Sequence, residues 1–248
     1  MISSRANAAV KSTVRLRKRR EREKRGVFLV EGHRAVSAAV AKGIKLLDVF
    51  HTEPALRHRE PLLRSISGAT VRSVTPEIMA HLTGHDHPPD VLAIAPLRPS
   101  SIKAAVKGDL IVILSGVRGP GVAGGILAAA AAADASGVIV LGSTTDPFGP
   151  ACVRAAAGAH FALAVAPCED AAAAAAAAGQ RTVVVLSEDG SPVCSENMRP
   201  PLALVVAEGP LPEAFSTARR VSVPAGSAGV AAGLVARAAI ALHEARHP

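Results

Sequence analysis

The sequence predicts an α/β protein with two domains, a small α/β sandwich over residues 1–98 and a larger domain with a mostly parallel sheet over residues 99–248. Three observations support this prediction. The chain has 248 residues, of which 49% are hydrophobic and 19% charged, so it can bury a core. Short runs rich in Val, Ile and Leu alternate with helical segments. A Pro- and Ser-rich segment at residues 96–101 separates the two halves as a linker does.

The first domain is predicted to begin with one helix over residues 6–25, which contain no Pro or Gly and are rich in helix formers. Residues 27–30 predict a buried strand, and Gly43 can terminate the helix that follows it as the C′ residue. Further strands are predicted over residues 44–50, 71–74 and 91–95.

The second domain repeats the alternation of strands and helices more regularly. Its predicted strands cover residues 110–114, 138–141, 161–165, 182–186, 202–206 and 220–223. Its predicted helices cover residues 122–133, 150–157, 171–178 and 229–245. Because the strands are continuous runs of Val, Ile and Leu, the sheet is predicted to be covered by helices on both faces.

Positive charge is concentrated in the first domain. Residues 1–98 contain 18 Lys and Arg against 9 Asp and Glu, and residues 99–248 contain 10 against 11, within a net charge of +8. The densest run covers residues 11–25. Such a run favours contact with a polyanion. A solvated or disordered segment and an anionic membrane surface are the alternatives.

Composition restricts the other classes of partner. The chain has no Trp or Tyr and only 5 Phe, so phosphate contacts rather than base stacking are expected to dominate any RNA binding. No apolar run reaches the roughly 20 residues of a membrane helix, and no signal-peptide pattern is present. The three cysteines predict neither a disulfide framework nor a zinc site, and His85 and His87 have no third ligand nearby. We therefore expect a cytoplasmic protein with no metal and no membrane partner.

Two glycine-rich segments, residues 116–125 and 224–229, each lie between a predicted strand and a predicted helix. The first lacks the Gly-Lys-Ser/Thr that a phosphate-binding P-loop requires. Small residues at such places allow either close approach of the backbone to a cofactor or a tight turn. Taken singly, each segment leaves both interpretations open.

Four short motifs in a fixed order carry a resemblance to a known family. They are Leu-Ser-Gly-Val-Arg-Gly-Pro-Gly at 114–121, residues 143–161, Ala-Leu-Val-Val-Ala-Glu-Gly-Pro at 203–210, and Val-Ser-Val-Pro at 221–224. Together they resemble the SpoU (TrmH-like) branch of the SPOUT superfamily of RNA methyltransferases. Val-Phe-Leu-Val-Glu-Gly at 27–32, followed by Arg34, resembles the ribosomal-protein-like substrate-binding domain that many members carry.

The resemblance implies a trefoil-knotted C-terminal domain that forms a homodimer and binds S-adenosylmethionine. It also implies methylation of a ribose 2′-hydroxyl in rRNA or tRNA, with residues 1–98 binding the RNA. The positions that it assigns to the cofactor are Val206, Ala207, Gly209, Val223, Ala225 and Gly226. The expected RNA contacts, from the basic run and the resemblance together, are Arg15, Arg17, Lys18, Arg19, Arg20, Arg22, Arg34 and Arg154.

The sequence departs from the family pattern at the reactive positions. Where the family has Asn and Arg in the first motif, this chain has Val122 and Ala128, and that Arg is the group thought to activate the ribose hydroxyl. The Gly of the second motif is Val206, and the Ser-Leu-Asn of the third is Ala-Ala-Gly at 231–233. Glu208 is retained, and Arg118 lies beside the altered first motif, so these two are the candidate catalytic residues.

Three hypotheses follow from these departures. In the first, the chain binds RNA but its methyl transfer is impaired or lost, and both a retained and a lost S-adenosylmethionine site are compatible with it. In the second, it is an active S-adenosylmethionine-dependent 2′-O-methyltransferase that uses substitute residues such as Arg118 or Glu208. In the third, it pairs with an active relative and does not contact RNA.

Overall fold

A computed structural model describes residues 1–58, 60–142, 144–225 and 232–247 of the chain. The helices are α1 (Ala8–Arg15), α2 (Arg19–Arg25), α3 (His33–Ala41), α4 (Glu53–His58), α5 (Glu60–Ser65), α6 (Pro76–Thr83), α7 (Ile102–Ala105), α8 (Pro120–Ala132), α9 (Pro150–Ala155), α10 (Ala171–Ala178) and α11 (Leu234–Arg246). The strands are β1 (Val27–Glu31), β2 (Asp48–His51), β3 (Thr70–Ser73), β4 (Val91–Pro96), β5 (Leu110–Ser115), β6 (Gly137–Leu141), β7 (Ala164–Cys168), β8 (Thr182–Pro192), β9 (Leu202–Ala207) and β10 (Arg219–Ser222).

The described residues form two compact units, each with its own sheet. The first unit contains residues 1–98 together with residues 148–162, and the second contains residues 99–147 and 163–248. The first unit is therefore discontinuous in sequence, because residues 148–162, from the second half of the chain, belong to it. That segment includes α9 and the short 3₁₀ helix Ala159–Phe161.

The first unit is built on a mixed sheet of four strands in the order β1-β4-β2-β3. β4 is antiparallel to both β1 and β2, and β2 is parallel to β3. Every residue of β1 is buried. The core of the first unit joins side chains of α1 and α6 to those of the sheet. Phe50, Leu82 and Leu92 in this core are 0% exposed. This core confirms the α/β sandwich that the sequence predicts.

The second unit has an all-parallel sheet of six strands in the order β10-β8-β9-β5-β6-β7. β5 and β9 lie in the middle, and their residues pair from Leu110–Leu202 to Ser115–Ala207. The side chains of a strand point alternately to its two faces. Ile113 and Val205 contribute to one core cluster, and both are fully buried. The mostly parallel sheet of the prediction is confirmed.

The helix predicted over residues 6–25 is wrong in one respect, because it is two helices that break at residues 16–18. Leu16 is fully buried at the break. The strand predicted over residues 161–165 is displaced to Ala164–Cys168, and Phe161 ends a 3₁₀ helix instead. Helices α4 to α7 were not predicted from the sequence, although Thr75 caps α6 and Gly84 follows it with a φ of +75°.

Other predicted boundaries agree closely with the structure. α10 covers residues 171–178 as predicted, and Gly43 follows α3 with a φ of +67°, which suits its role as the C′ residue. Within the described part of the chain, no helix is long and apolar enough to cross a membrane. Cys152 and Cys168 are buried, and Cys194 is exposed.

Candidate functional site

Glu208 joins the two motifs that lie at the carboxyl ends of the central strands. Its backbone N–H donates to Ser115 O over 2.9 Å, and its carboxylate Oε2 accepts a hydrogen bond of 2.9 Å from the backbone N–H of Arg118. The two candidate catalytic residues therefore lie together. Their contact runs from a side chain to a backbone amide, so Glu208 fixes the course of the loop after β5.

Gly116 allows this loop to pass close to Glu208. Its φ is +68°, a left-handed conformation that favours glycine, and a Cβ placed on it would lie 2.3 Å from Glu208 O. The structure thus gives a physical reason for the first glycine of the segment 116–125. The Arg118 side chain is exposed.

A cleft of about 350 Å³ lies in the second unit beside the middle of β8 and the carboxyl end of β9. It is lined by Val185, Leu186, Ser187, Glu188, Asp189, Ala207, Gly209, Leu211, Arg220 and Arg237. Two of the residues predicted to hold the cofactor, Ala207 and Gly209, are among them. Its volume lies at the lower end of the roughly 300–1,000 Å³ that small-molecule sites occupy.

Ion pairs organise the charged side of this cleft. Asp189 pairs with Arg220 at 3.1 Å, and Glu188 lies 3.4 Å from Arg237. A hydrogen bond from Ser187, and after it the Arg220 guanidinium, lowers the pKa of the Asp189 carboxyl. Arg220 and Arg237 were not predicted as site residues. Arg220 lies at a shift of register between β8 and β10, Arg237 lies on α11, and neither placement has a sequence signature.

Arg237 offers a test of whether a cofactor fits the cleft. Its Nε is buried and has no hydrogen-bond partner in the described part of the chain. A buried donor without an acceptor costs roughly 1–3 kcal/mol, so a ligand that supplies an acceptor there is favoured. The lining combines Ala207 and Gly209 with the carboxylates of Glu188 and Asp189 and the guanidinium groups of Arg220 and Arg237, so it fits a ligand that has an apolar surface and both hydrogen-bond donors and acceptors.

The other predicted cofactor positions differ in how deeply they are buried. Val206 is fully buried and pairs with Leu114 and Leu186 in the middle of the sheet. Val223 is half-buried and Ala225 is exposed. Gly226 lies outside the described residues.

The positions at which the family pattern has reactive groups carry small or apolar side chains. Val122 and Ala128 lie on α8 and are both half-buried. Gly233 is the N-cap of α11, and Ala232 precedes it. Ala231 lies outside the described residues. None of these side chains can accept or donate a proton.

The basic run divides into exposed and buried cations. Arg15, Arg17, Lys18, Arg19, Arg20 and Arg34 are exposed. Arg22 is only 2% exposed, and its Nη1 donates to the carbonyls of Leu16 and Arg17 over 2.9 and 3.0 Å. The expectation of an RNA contact at Arg22 is therefore corrected. It caps the free carbonyls where α1 ends, which also explains the break between the two helices.

Arg154 takes part in an ion cluster of the first unit. Its Nη1 lies 3.2 Å from Oε2 of Glu31, whose side chain is fully buried, and His85 Nε2 lies 3.3 Å from the same oxygen. Arg154 also contacts His85 directly. Burial raises the pKa of the Glu31 carboxyl, although His85 and Arg154 oppose the shift. The Arg154 side chain is 44% exposed, so it has a surface for an anion beside its structural contact.

The described residues contain no group of three His, Cys, Asp or Glu side chains that could hold a metal ion. His85, which the sequence analysis considered beside His87, belongs to the Glu31 cluster instead.

Two family models match the chain. The model described as MRM3-like substrate binding domain matches residues 7–93, and the model described as SpoU rRNA Methylase family matches residues 109–210. A 23S rRNA (uridine(2479)-2′-O)-methyltransferase of Streptomyces viridochromogenes is 29% identical over 150 residues. That alignment covers 58% of this chain and 52% of the relative, so the match extends over about half of the relative's length.

Solved structures of similar proteins match nearly the whole chain. The S-adenosylmethionine-bound rRNA methyltransferase of Sinorhizobium meliloti is 29% identical, with a TM-score of 0.80 over 99% of this chain and 97% of that one. The SpoU methyltransferase AviRb of Streptomyces viridochromogenes, in complex with the same cofactor, is 25% identical, with a TM-score of 0.82 over 97% of this chain and 98% of that one.

Proposed function

Because residues 109–210 match the SpoU rRNA Methylase family model and residues 7–93 match the MRM3-like substrate binding domain, we propose that this chain is a member of that family, that it binds rRNA or tRNA, and that its capacity for methyl transfer is impaired or lost. Residues 1–98 would bind the RNA, and residues 99–248 would form the trefoil-knotted methyltransferase-like domain. The observation that carries the proposal is the replacement of reactive side chains by Val122 and Ala128 in an otherwise intact α/β framework.

The exposed cations at the beginning of the chain support RNA binding. Arg15, Arg17, Lys18, Arg19 and Arg20 are close in sequence and all are exposed, so several phosphates could be contacted from one surface. Each Lys or Arg that neutralises a phosphate releases counterions, which makes the affinity salt-dependent. Arg34 and the exposed part of Arg154 would extend the contacts within the first unit.

The loss of reactive groups supports impaired catalysis. A ribose hydroxyl ionises only far above pH 7, so its attack on a methyl group requires a positioned base or electrostatic assistance. A general base typically contributes about 10²–10⁴-fold in rate. Val122 and Ala128 cannot provide it, and the Glu208 carboxylate already accepts a hydrogen bond from the Arg118 amide.

The cleft beside β8 and β9 is the proposed cofactor site. Ala207 and Gly209 would accept the apolar part of S-adenosylmethionine, and Arg237 Nε would donate to an oxygen of the ligand. When bound, this cofactor supplies a methyl group on a sulfonium ion. The cleft can therefore keep affinity for the cofactor even where the groups that activate the RNA hydroxyl are missing.

The alternative is an active methyltransferase with substitute residues. Arg118 is the group that favours it, because its exposed guanidinium extends from the loop that Glu208 holds. From that loop it could stabilise a developing alkoxide. A homodimer through residues 99–248 and a cytoplasmic location, where an rRNA substrate would be met, complete the proposal.

Transfer of a labelled methyl group from S-adenosylmethionine to rRNA transcripts tests the proposal. We expect the wild type to give no more product than a reaction without protein. Product that contains a 2′-O-methyl group, and that disappears in Arg118→Ala, would instead establish the alternative. Calorimetry with the cofactor shows separately whether the cleft binds it.

Reversal of charge tests the RNA-binding part independently. Arg17, Lys18, Arg19 and Arg20 are changed to Glu together, and the affinity for rRNA fragments is measured over a range of salt concentrations. We expect weaker binding and a salt slope reduced by about one unit for each phosphate that is no longer neutralised. An unchanged affinity would contradict the assignment of this surface.

A further inference from the structure

Three of the 5 phenylalanines of the chain lie together in the first unit. Phe28 of β1 contacts Phe148 edge to face, with centroids 5.6 Å apart and planes at 75°. It also lies 6.1 Å from Phe161, with the planes at 32°. His160 adds a fourth ring, 5.5 Å from Phe148. The sequence spreads these rings over more than a hundred positions, so no local pattern brings them together.

Part of this cluster serves the core. Phe28 is 2% exposed and Phe148 is 8% exposed, and aromatic pairs at these distances contribute to packing. His160 and Phe161 differ, because both are only half-buried. The four rings therefore form the wall and floor of a recess that is open on one side.

The recess has a volume of about 230 Å³. Lys45 and Arg98 also line it, and both are exposed. Apolar ring surface that faces water is unfavourable, so an occupant that covers the rings is stabilised. The volume is below the range of drug-sized ligands, which suits a single planar ring system.

We propose that this recess binds one unpaired nucleobase of the RNA, which stacks on Phe161 and His160 while Lys45 and Arg98 contact the flanking phosphates. The inference rests on the proposed RNA binding and adds to it a preference for single-stranded RNA. Aromatic side chains beside cations form the usual platform for single-stranded nucleic acid. The inference adds base stacking to the phosphate contacts that the composition of the chain predicts.

The charge at the rim decides between possible occupants. An apolar peptide side chain would gain nothing from two cations, whereas each base of a single strand carries a phosphate on either side. No carboxylate lines the recess to compete for Lys45 or Arg98 among the residues that the structure describes. A single strand thus satisfies the rings and the cations together.

The test compares two short labelled probes of equal length, a single-stranded oligoadenylate and the same ribose-phosphate chain without bases. Binding of the full chain is followed by fluorescence anisotropy. We expect the wild type to prefer the probe with bases. Because stacking of one base on an aromatic side chain typically contributes about 1–3 kcal/mol, Phe161→Ala should reduce this preference about five- to 150-fold.

Matched variants separate stacking from charge. Leu47→Ala removes an apolar side chain that is 42% exposed elsewhere in the first unit and should keep the preference. Lys45→Ala and Arg98→Ala should weaken both probes alike and flatten the salt dependence, with the preference intact. Lys103→Ala, an exposed cation on α7, is the control for charge and should leave the preference unchanged.

The outcomes distinguish this inference from the proposed function. A preference for bases that survives in Phe161→Ala would overturn the base site and leave RNA binding in place. Failure of the wild type to bind either probe or any rRNA fragment would overturn both. If Phe161→Ala does not fold, ultraviolet cross-linking of the wild type to an oligonucleotide that contains 4-thiouridine tests the base site instead. Cross-links within residues 148–161 support the site, and cross-links only elsewhere exclude it.

Discussion

The carboxylate of Glu208 accepts a 2.9 Å hydrogen bond from the backbone amide of Arg118, 90 residues earlier in the chain. This contact ties the loop after β5 to the end of β9. It gives Glu208 a role in positioning this loop, because its Oε2 accepts a hydrogen bond from the backbone. The role of Glu208 in the fold can therefore be measured apart from any catalysis.

Removal of the Glu208 carboxylate should loosen the loop. Glu208→Ala leaves the Arg118 amide without its acceptor, and we expect a loss of about 0.5–1.5 kcal/mol in the free energy of unfolding. Amide hydrogen exchange at Arg118 should accelerate. Glu208→Gln keeps an acceptor oxygen, so it should lose less free energy of unfolding than Glu208→Ala. Equal losses in the two variants would argue against a role of this hydrogen bond in holding the loop.

A methyl group on Gly116 should be poorly tolerated. Gly116→Ala forces a left-handed conformation on alanine and brings its Cβ to 2.3 Å from Glu208 O, so we expect a loss of at least about 2 kcal/mol by urea unfolding. Gly121→Ala is the matched control. Nothing lies within 4 Å of its Cβ in the first turn of α8, and alanine favours helix, so this variant should be neutral or slightly stabilised. Similar losses in both would contradict the prediction.

Arg22 and Arg20 should separate stability from RNA binding. Arg22→Ala leaves the carbonyls of Leu16 and Arg17 without a buried charged donor, so we expect a loss of about 2–3 kcal/mol in thermal or urea unfolding. Arg20 is exposed, and Arg20→Ala should change stability by no more than about 0.5 kcal/mol. Arg20→Ala should instead reduce the salt slope of RNA binding. A large loss of stability in Arg20→Ala, with none in Arg22→Ala, would contradict this division of roles.

Glu31 should give the stability a measurable dependence on pH. Burial raises the pKa of its carboxyl above the ordinary 4.5, so the folded state holds this proton more tightly than the unfolded state does. The contribution to stability therefore falls as the pH rises above about 4.5 and is constant below that value. Glu31→Gln has no proton to lose, so its stability relative to the wild type should rise between about pH 4 and pH 7.

Glu77 provides the control of opposite sign. Hydrogen bonds from its own backbone amide and from Thr75 lower the pKa of its carboxyl at the start of α6. Its contribution is present above the ordinary pKa and is lost as the pH falls, so the advantage of the wild type over Glu77→Gln should shrink in acid. A difference between wild type and Glu31→Gln that does not vary with pH would contradict the raised pKa.

Local patterns predicted most of the secondary structure. Runs of Val, Ile and Leu identified the strands of the parallel sheet, and eight consecutive alanines predicted α10 with its observed ends. Local patterns gave the wrong prediction where contacts with residues distant in sequence determine the structure. Residues 6–25 have helical propensity throughout, yet the helix breaks because Leu16 enters the core and Arg22 binds the freed carbonyls. Phe161 was predicted to begin a strand, but it ends a 3₁₀ helix outside β7, where its ring packs beside Phe28.

The sequence named Glu208 and Arg118 as candidate catalytic residues and Ala207 and Gly209 as candidate cofactor positions. That Glu208 contacts the Arg118 amide, and that Ala207 and Gly209 line one cleft, is known only from the structure. The charged lining by Arg220 and Arg237 was missed, because it depends on how the bulge in β8 and the last helix approach each other. The pairing of Arg154 with Glu31 was missed as well, since 123 residues separate them.

The sequence by itself determined the periodicity of the elements, the concentration of positive charge and the identity of the side chains at the reactive positions. These properties are local, since each depends on the residue or on its near neighbours. Only the tertiary structure decided which cations are exposed, which carboxylate is buried and which rings surround a recess. Those properties arise from contacts between residues far apart in the chain, where burial changes the free energy of a charge or a ring and no local pattern records it.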